Sequence, residues 1–252
     1  MINEIILSII QAAAEFLPIS SSGHLALYSN LFSKPDLFFI TFLHLASLLA
    51  VIIFTRKELI YLFTFKKGSL KLWSYWIIAT IPTAVIGFLF KDYIESALSS
   101  LLFLGIAFLF TGIIILLTKF SKQYSRLNMK NSLIIGLFQS VALFPGVSRS
   151  GMTISSSLFA GIEEEKAARF SFLLFIPLAI GAFGLEMKDY LFNNLIIDVP
   201  IFTLIISFII CSVLSLLFLN ILVYIIKKEK FWMFSFYCFF IGIITLIIYF
   251  II

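Results

Sequence analysis

The feature that most restricts this chain is a set of six apolar runs, each about as long as a helix needs to be to cross a lipid bilayer. They cover about Asp36–Thr55, Leu72–Phe90, Ala97–Thr118, Arg169–Leu185, Pro200–Ile226 and Phe231–Ile252. A span takes about 20 mostly apolar residues, and in hydrocarbon every backbone N–H and C=O needs a partner within the protein. Open strands cannot supply that, so all six runs read as helices. The fourth is the shortest, and Pro177 within it, like Pro82 in the second, reads as a kink. Composition agrees: 62% of the 252 residues are apolar and 12% charged, where a soluble domain has about 45–50% and about 25%. Soluble, disordered, fibrous and disulfide-stapled classes are thereby excluded. Cys211 and Cys238 both lie inside apolar runs and read as unpaired. Met1-Ile2-Asn3-Glu4 lacks the basic region of a cleaved signal peptide, so the spans themselves are expected to drive insertion.

The net charge of +5 is not a nucleic-acid footprint, because the basic residues come in short clusters between the runs. Arg56, Lys57, Lys66, Lys67 and Lys71 follow the first run; Lys119, Lys122, Arg126 and Lys130 follow the third. Lys166 and Arg169 open the fourth, and Lys227, Lys228 and Lys230 follow the fifth. Alternating spans put these fourteen of the 18 Lys and Arg on one face, leaving Lys34, Lys91 and Lys188 opposite. The positive-inside rule makes the basic face cytoplasmic and directs both termini outward.

Two further stretches are apolar but interrupted. Residues 1–35 break at Pro18-Ile19-Ser20-Ser21-Ser22-Gly23-His24, and residues 131–165 break at Pro145-Gly146-Val147-Ser148-Arg149-Ser150-Gly151. Their arms are too short to cross, so each reads as a re-entrant helix–loop–helix, allowed at membrane depth only where protein or a wet cavity surrounds it. At an offset of 128 the breaks match: Gln11 with Gln139, Ala14 with Ala142, Phe16 with Phe144, Ser20 with Ser148, Ser22 with Ser150, Gly23 with Gly151. The sequence therefore predicts one all-α polytopic membrane domain over residues 1–252, with six transmembrane helices and two re-entrant hairpins. Repeat one covers about residues 1–118 and repeat two about 131–252. Three spans per half turn the second upside down, and inverted repeats with broken helices build sites near the bilayer midplane.

Ionisable groups in hydrocarbon are functional-site candidates by default. Four stand out: Glu15, His24, His44 and Arg149. His44 lies mid-span, away from any motif, and reads as a packing histidine. The other three fall in or beside the breaks, among Ser20, Ser21, Ser22, Ser148, Ser150 and Thr153, with Gly23, Gly146 and Gly151 leaving backbone N–H groups accessible. That inventory suits a phosphate, since helix N-termini and Gly/Ser turns point donors at anions and a guanidinium pairs phosphate oxygens bidentately. The Glu15 charge would repel the ligand unless a divalent cation, Mg²⁺ or Ca²⁺, bridged the two; Gln11, one turn earlier, is placed to share that duty. If the second arm begins near Ser22, His24 comes within reach of the Ser21 hydroxyl as its general base. Plainer roles stay open: an Arg149–Glu15 structural pair, a helix-capping His24, serines that only satisfy the turns. Glu163-Glu164-Glu165 reads as a solvated turn opening the fourth span. A carrier with the same anion pocket is the alternative to an enzyme.

Gln11-Ala-Ala-Ala-Glu15-Phe-Leu-Pro-Ile-Ser20-Ser-Ser-Gly-His24-Leu resembles the first signature of the undecaprenyl-diphosphate phosphatase (bacitracin-resistance) family, with its Glu/Gln-x-x-x-Glu element. Pro145-Gly-Val-Ser148-Arg149-Ser150-Gly-Met-Thr153 resembles the second, Pro-Gly-x-Ser-Arg-Ser-x-x-Thr. Length, hydrophobicity and motif placement are similar too, so the resemblance covers essentially the whole chain. Gln at position 11, where the pattern admits Glu or Gln, weakens a two-carboxylate metal site.

The resemblance implies a plasma-membrane hydrolase that removes the terminal phosphate of a C55 polyprenyl diphosphate, recycling the cell-wall carrier lipid. Bacitracin antagonism then follows indirectly, since that drug sequesters the same lipid. Nucleic acid is not an expected partner, and an oligomer is compatible with the sequence. A divalent cation is implied as well, with Glu15 and Gln11 holding metal or substrate. Ser21 becomes the candidate nucleophile, a His24 nucleophile or direct attack by water staying open. His24 becomes its base or acid. Arg149, with Ser20, Ser22, Gly146, Ser148, Ser150 and Thr153 around it, would hold the phosphates of a headgroup entering from the outer leaflet.

Overall fold

The structure, a computed structural model, describes residues 1–32, 37–192 and 199–251, apart from the side chains of Leu37 and Asp189. Lys34 and the run ends Asp36 and Ile252 lie outside the described residues. Among the described residues there is no strand, and the helices are α1 (Ile2–Phe16), α2 (Ser21–Leu31), α3 (Leu37–Phe54), α4 (Arg56–Leu62), α5 (Lys67–Leu89), α6 (Lys91–Ala97), α7 (Leu101–Leu117), α8 (Met129–Val141), α9 (Arg149–Phe159), α10 (Glu164–Phe192), α11 (Ile201–Ile226) and α12 (Phe234–Ile251). Short 3₁₀ turns at Thr118–Phe120 and Phe231–Met233 extend α7 and α12.

Five stretches are long and apolar enough to cross a bilayer: Lys67–Leu89, Leu101–Phe120, Glu164–Phe192, Ile201–Ile226 and Phe231–Ile251. A sixth results if α3 and α4, bent by 76° about Thr55, count as one span. The fourth apolar run, read as the shortest, belongs to a helix of 29 residues. Glu164, Glu165 and Lys166 at its start and Glu186 and Lys188 near its end are good helix formers, so the helix outlasts the apolar stretch. Pro82 and Pro177 each lie within an unbroken helix.

The interrupted stretches form two pairs of short helices. At about 1.5 Å per residue, α1 with 15 residues, α8 with 13, and α2 and α9 with 11 each all fall short of the hydrocarbon thickness of about 30 Å. These pairs pack against the longer helices. α1 lies along α11 and α3, and α8 along α5, while α7 and α12 run side by side. Lipid offers helices no hydrophobic reason to associate, so small residues that admit close backbones decide the pairing. A Cβ on Gly136 would stand 2.5 Å from Ala79 O across the α8–α5 contact, and one on Gly242 3.1 Å from Gly105 O across α12–α7. Faces turned away from the bundle stay apolar, with Phe88, Ile209 and Phe240 exposed, as a lipid solvent permits. Cys211 and Cys238 are free and buried, as expected.

The basic clusters gather at one end of the bundle. Arg169 Nη1 is 2.6 Å from Glu58 of α4, its Nη2 3.0 Å from Glu165, and Lys227 after α11 is 3.3 Å from Glu165. Tyr124 and Ser125 donate backbone N–H groups to Gly161 O, and Lys119 lies 4.6 Å from the centre of the Trp232 ring. The loops after α3, α7 and α11 and before α10 and α12 are thus tied together, as alternating spans require. Glu163 pairs with Lys166 as α10 opens.

Candidate active site

The two breaks meet inside the bundle. The first joins α1 to α2 and the second joins α8 to α9. Their tips approach so closely that a Cβ on Gly23 would lie 2.7 Å from Gly146 Cα and 2.6 Å from the Phe108 ring. Cross-links run both ways: Ser20 Oγ donates to Val147 O at 3.3 Å, and Ser150 Oγ to Leu17 O at 3.3 Å. Each tip ends in the same cap. Ser20 Oγ accepts from Gly23 N at 3.2 Å and Ser148 Oγ from Gly151 N at 3.1 Å, the N-cap geometry that starts a helix. α2 and α9 therefore present their N-termini, with their uncapped N–H groups and positive dipole ends, to the same small space. Ser20 holds a φ of +68°, a left-handed conformation that costs a non-glycine residue about 1–3 kcal/mol. Strain of that kind is commonest at functional sites.

Between the tips lies a buried ion pair. Arg149 Nη2 donates to Glu15 Oε1 at 2.7 Å, with Glu15 only 6% exposed. Desolvation makes such a pair a weak source of stability, so further contacts must hold it. Arg149 Nη1 donates to Ser171 O at 3.2 Å, and the guanidinium lies 4.5 Å from the centre of the Phe175 ring. Thr153 Oγ1 lies 2.6 Å from Ser171 Oγ, locking α9 against α10. On the other carboxylate oxygen, Ser21 Oγ donates to Glu15 Oε2 at 2.6 Å and Gln11 Nε2 at 3.1 Å, and His44 Nε2 stands 3.6 Å away.

These groups open onto a cavity of about 160 Å³. Glu15, Ser20, Ser21, Ser22, His44, Ser148 and Arg149 form its polar wall; Leu143, Val147, Phe175 and Leu178 are among its apolar lining. Pockets for whole drug-sized ligands run to about 300–1,000 Å³. This one is smaller, with apolar helix faces beside its polar wall. Gly146, Ser150 and Thr153 stand behind the wall, holding the second tip against α7, α1 and α10.

Two histidines sit differently from the sequence expectation. His24 was expected at Ser21, but its ring turns the other way. Nδ1 bonds Ser20 O at 2.7 Å, Nε2 pairs with the Tyr237 hydroxyl at 2.8 Å, and the ring stacks on Tyr237. The geometry follows from the helix, where a side chain at position 24 reaches back to the carbonyl four residues before it. His44, expected to pack in the core, lines the cavity instead. Nothing in the sequence around His44 marks it, beyond its being ionisable within an apolar run. Ser171, Phe175 and Tyr237 carry no sequence signal at all, because α10 and α12 bring them in from distant stretches.

A divalent cation fits the residues present. Gln11 turns its Nε2 to the Glu15 carboxylate at 3.1 Å and keeps its Oε1 fully buried without a hydrogen-bond partner; a carboxylate and an amide carbonyl are hard oxygen donors of the kind that Mg²⁺ and Ca²⁺ prefer, once the amide turns over. Among the described residues no group of three His, Cys, Asp or Glu could hold a metal by itself. Phosphate oxygens would have to complete the shell.

A charged, serine-walled chamber enclosed by lipid-facing helices defines a multi-span membrane protein with a polar site buried within its bundle. The chain belongs to the family described as bacitracin resistance protein BacA, which matches residues 4–244. It is 42% identical over 251 residues to the undecaprenyl-diphosphatase of Thermosipho africanus, covering 96% of this chain and 98% of that one. The undecaprenyl-diphosphatase of Thermosipho melanesiensis is 41% identical over 253 residues, 97% of this chain and 98% of that protein. That of Methanococcus vannielii is 36% identical over 250 residues, 94% and 96% respectively.

Proposed function

We infer that the chain is an integral membrane hydrolase that removes the terminal phosphate of undecaprenyl diphosphate, releasing inorganic phosphate and the lipid monophosphate. The observation that carries this is a buried Ser21–Glu15–Arg149 cluster in a chain that matches named undecaprenyl-diphosphatases from end to end. The reaction recycles the carrier lipid of cell-wall assembly, and by lowering free lipid diphosphate it antagonises bacitracin. The names of the relatives favour hydrolysis over transport.

The proposed site residues divide by position. Arg149, with Ser20, Ser22, Ser148 and the first N–H groups of α2 and α9, binds the diphosphate and neutralises its charge, the main task in phosphoryl transfer. Ser21 Oγ attacks the terminal phosphorus while its proton passes to Glu15 Oε2, already its hydrogen-bond partner. The bond to the bridging oxygen breaks, polyprenyl phosphate leaves, and water then hydrolyses the phosphoserine. His24 holds the Ser20 carbonyl and so fixes the strained residue next to Ser21. Gly146, Ser150 and Thr153 keep the second tip in place. Glu15 and Gln11 are the residues that would hold a divalent cation, which would supply charge neutralisation at the phosphate oxygens.

The pairs α1–α2 and α8–α9 are re-entrant hairpins of an inverted repeat in this reading. Its support is the exchange of partners, since α1 packs on α11 of the other half and α8 on α5. At the 128-residue offset Ser21 corresponds to Arg149 and Glu15 to Leu143, so the repeat supplies the matched scaffold and its differences supply the chemistry. The basic end is cytoplasmic and both termini face outward, with the pocket reached from the outer leaflet.

Purified protein in detergent is expected to release phosphate from undecaprenyl diphosphate, to stop with EDTA and to recover with Mg²⁺ or Ca²⁺. Absence of release under all conditions would overturn the hydrolase; release indifferent to chelator would overturn the cation. Ser21→Ala is expected to lower turnover at least about 10³-fold, as loss of a nucleophile does elsewhere. Near-normal turnover in that variant would remove the serine route and leave the phosphatase in place.

A further inference from the structure

We propose that Tyr237 is a positioning residue for the reaction, a donor outside both motifs that steadies the turn carrying Ser21 by way of His24. The inference rests on the reading of Ser21 as the nucleophile and extends it to α12. His24 Nδ1 lies 2.7 Å from Ser20 O, a carbonyl that can only accept, so the ring proton sits on Nδ1. Nε2 is left with a lone pair, and the Tyr237 hydroxyl donates to it at 2.8 Å. The same two rings stack with centres 5.6 Å apart and planes 18° from parallel. One tautomer and one ring orientation are thereby fixed. They matter because His24 holds Ser20 O, and Ser20 keeps a φ of +68° immediately before Ser21. A residue in that conformation persists only where its surroundings over-determine it.

The next residue of α12 makes a second, independent contact. Cys238 is fully buried, and its Sγ donates to Pro18 O at 3.4 Å. Pro18 opens the first break and His24 closes it, so consecutive residues of α12 hold the two ends of the segment that carries Ser21. α7 backs this arrangement. The Phe108 ring stands edge-on to His24 with centres 5.2 Å apart, and a Cβ on Gly112 would come 3.2 Å from Cys238 Cβ. Close packing of α12 on α7 thus sets where Tyr237 stands. A hydroxyl on a lipid-facing helix has no water to bond, which makes the His24 lone pair its natural partner. Tyr237 is not among the described residues that line the cavity, so it acts on the reaction through His24.

Tyr237→Phe keeps the stacked ring and removes one oxygen, a change mild enough to leave folding intact. In the full chain in detergent, kcat for undecaprenyl diphosphate is expected to fall between about tenfold and about 10²-fold, the latter being the cost of a 1 Å misplacement. KM is expected to stay at the native value. Tyr249→Phe, on the exposed face of the same helix, is expected to change neither. The chain has two histidines, so NMR of ¹⁵N-histidine-labelled protein reads His24 directly once His24→Gln has assigned its signals. In Tyr237→Phe the His24 Nε2 signal is expected to move toward that of a nitrogen accepting no hydrogen bond, while the His44 signals stay. In the His24→Gln background Tyr237→Phe is expected to cost less than about twofold, because the group it acts through is gone. An unmoved Nε2 signal, a native kcat, or an undiminished cost in the His24→Gln background overturns the role of Tyr237 and leaves the Ser21 reading standing. Near-native turnover in Ser21→Ala overturns both.

Discussion

Arg149→Ala is expected to lower phosphate release at least about 10³-fold, the range in which arginines act on transferring phosphoryl groups. The side chain serves two purposes that the structure ties together. It is the positive group in the cavity wall, and it is the partner of Glu15 at 2.7 Å. Its loss leaves a carboxylate buried without compensation, a defect that costs about 3–5 kcal/mol where a buried pair is broken. Activity must therefore be normalised to folded protein eluting at the native size. Arg149→Lys separates the two purposes, because it keeps a charge near Glu15 but lacks the fork that can bond Glu15 and Ser171 O together. We expect it to recover folding and to stay well below native turnover. Native turnover in folded Arg149→Ala would remove the guanidinium from phosphate binding.

Gly146→Ala should produce a large structural defect. Its φ of +89° is strained for any side chain, and the new Cβ would meet Ala107 Cβ at 2.7 Å and Leu104 O at 3.0 Å. A short side chain fixed to the backbone and a carbonyl of α7 leave no flexible neighbour to yield. Strain and overpacking of this kind together cost about 3 kcal/mol, read as a lower thermal midpoint in detergent. Turnover should fall too, because moving this tip carries Val147, Ser148 and Arg149 away from Ser20 and Glu15. Gly184→Ala is the control: its Cβ would meet nothing within 4 Å in the middle of α10, and alanine there is expected to leave the midpoint unchanged or raise it slightly. A Gly146→Ala protein as stable as that control would show that the second tip is looser than its packing implies.

The helical class, the long apolar spans and the gathering of basic loops at one end were legible in the sequence. The reason is that hydrocarbon admits only self-satisfied helices and that length and charge are local properties of the chain. Glu15, Ser21 and Arg149 were legible as candidates for a related reason: a polar residue in a broken apolar run has no cheap place to go. Their mutual arrangement was not. Ser21 turns to Glu15, six residues back, because the loop reverses the chain there, whereas His24 turns to Tyr237, 213 residues away on α12. His44 reaches Glu15 only because α3 packs on α1. Periodicity and composition settle which residues must leave lipid. Which of them touch depends on helix packing between distant segments, and only the tertiary structure decides that.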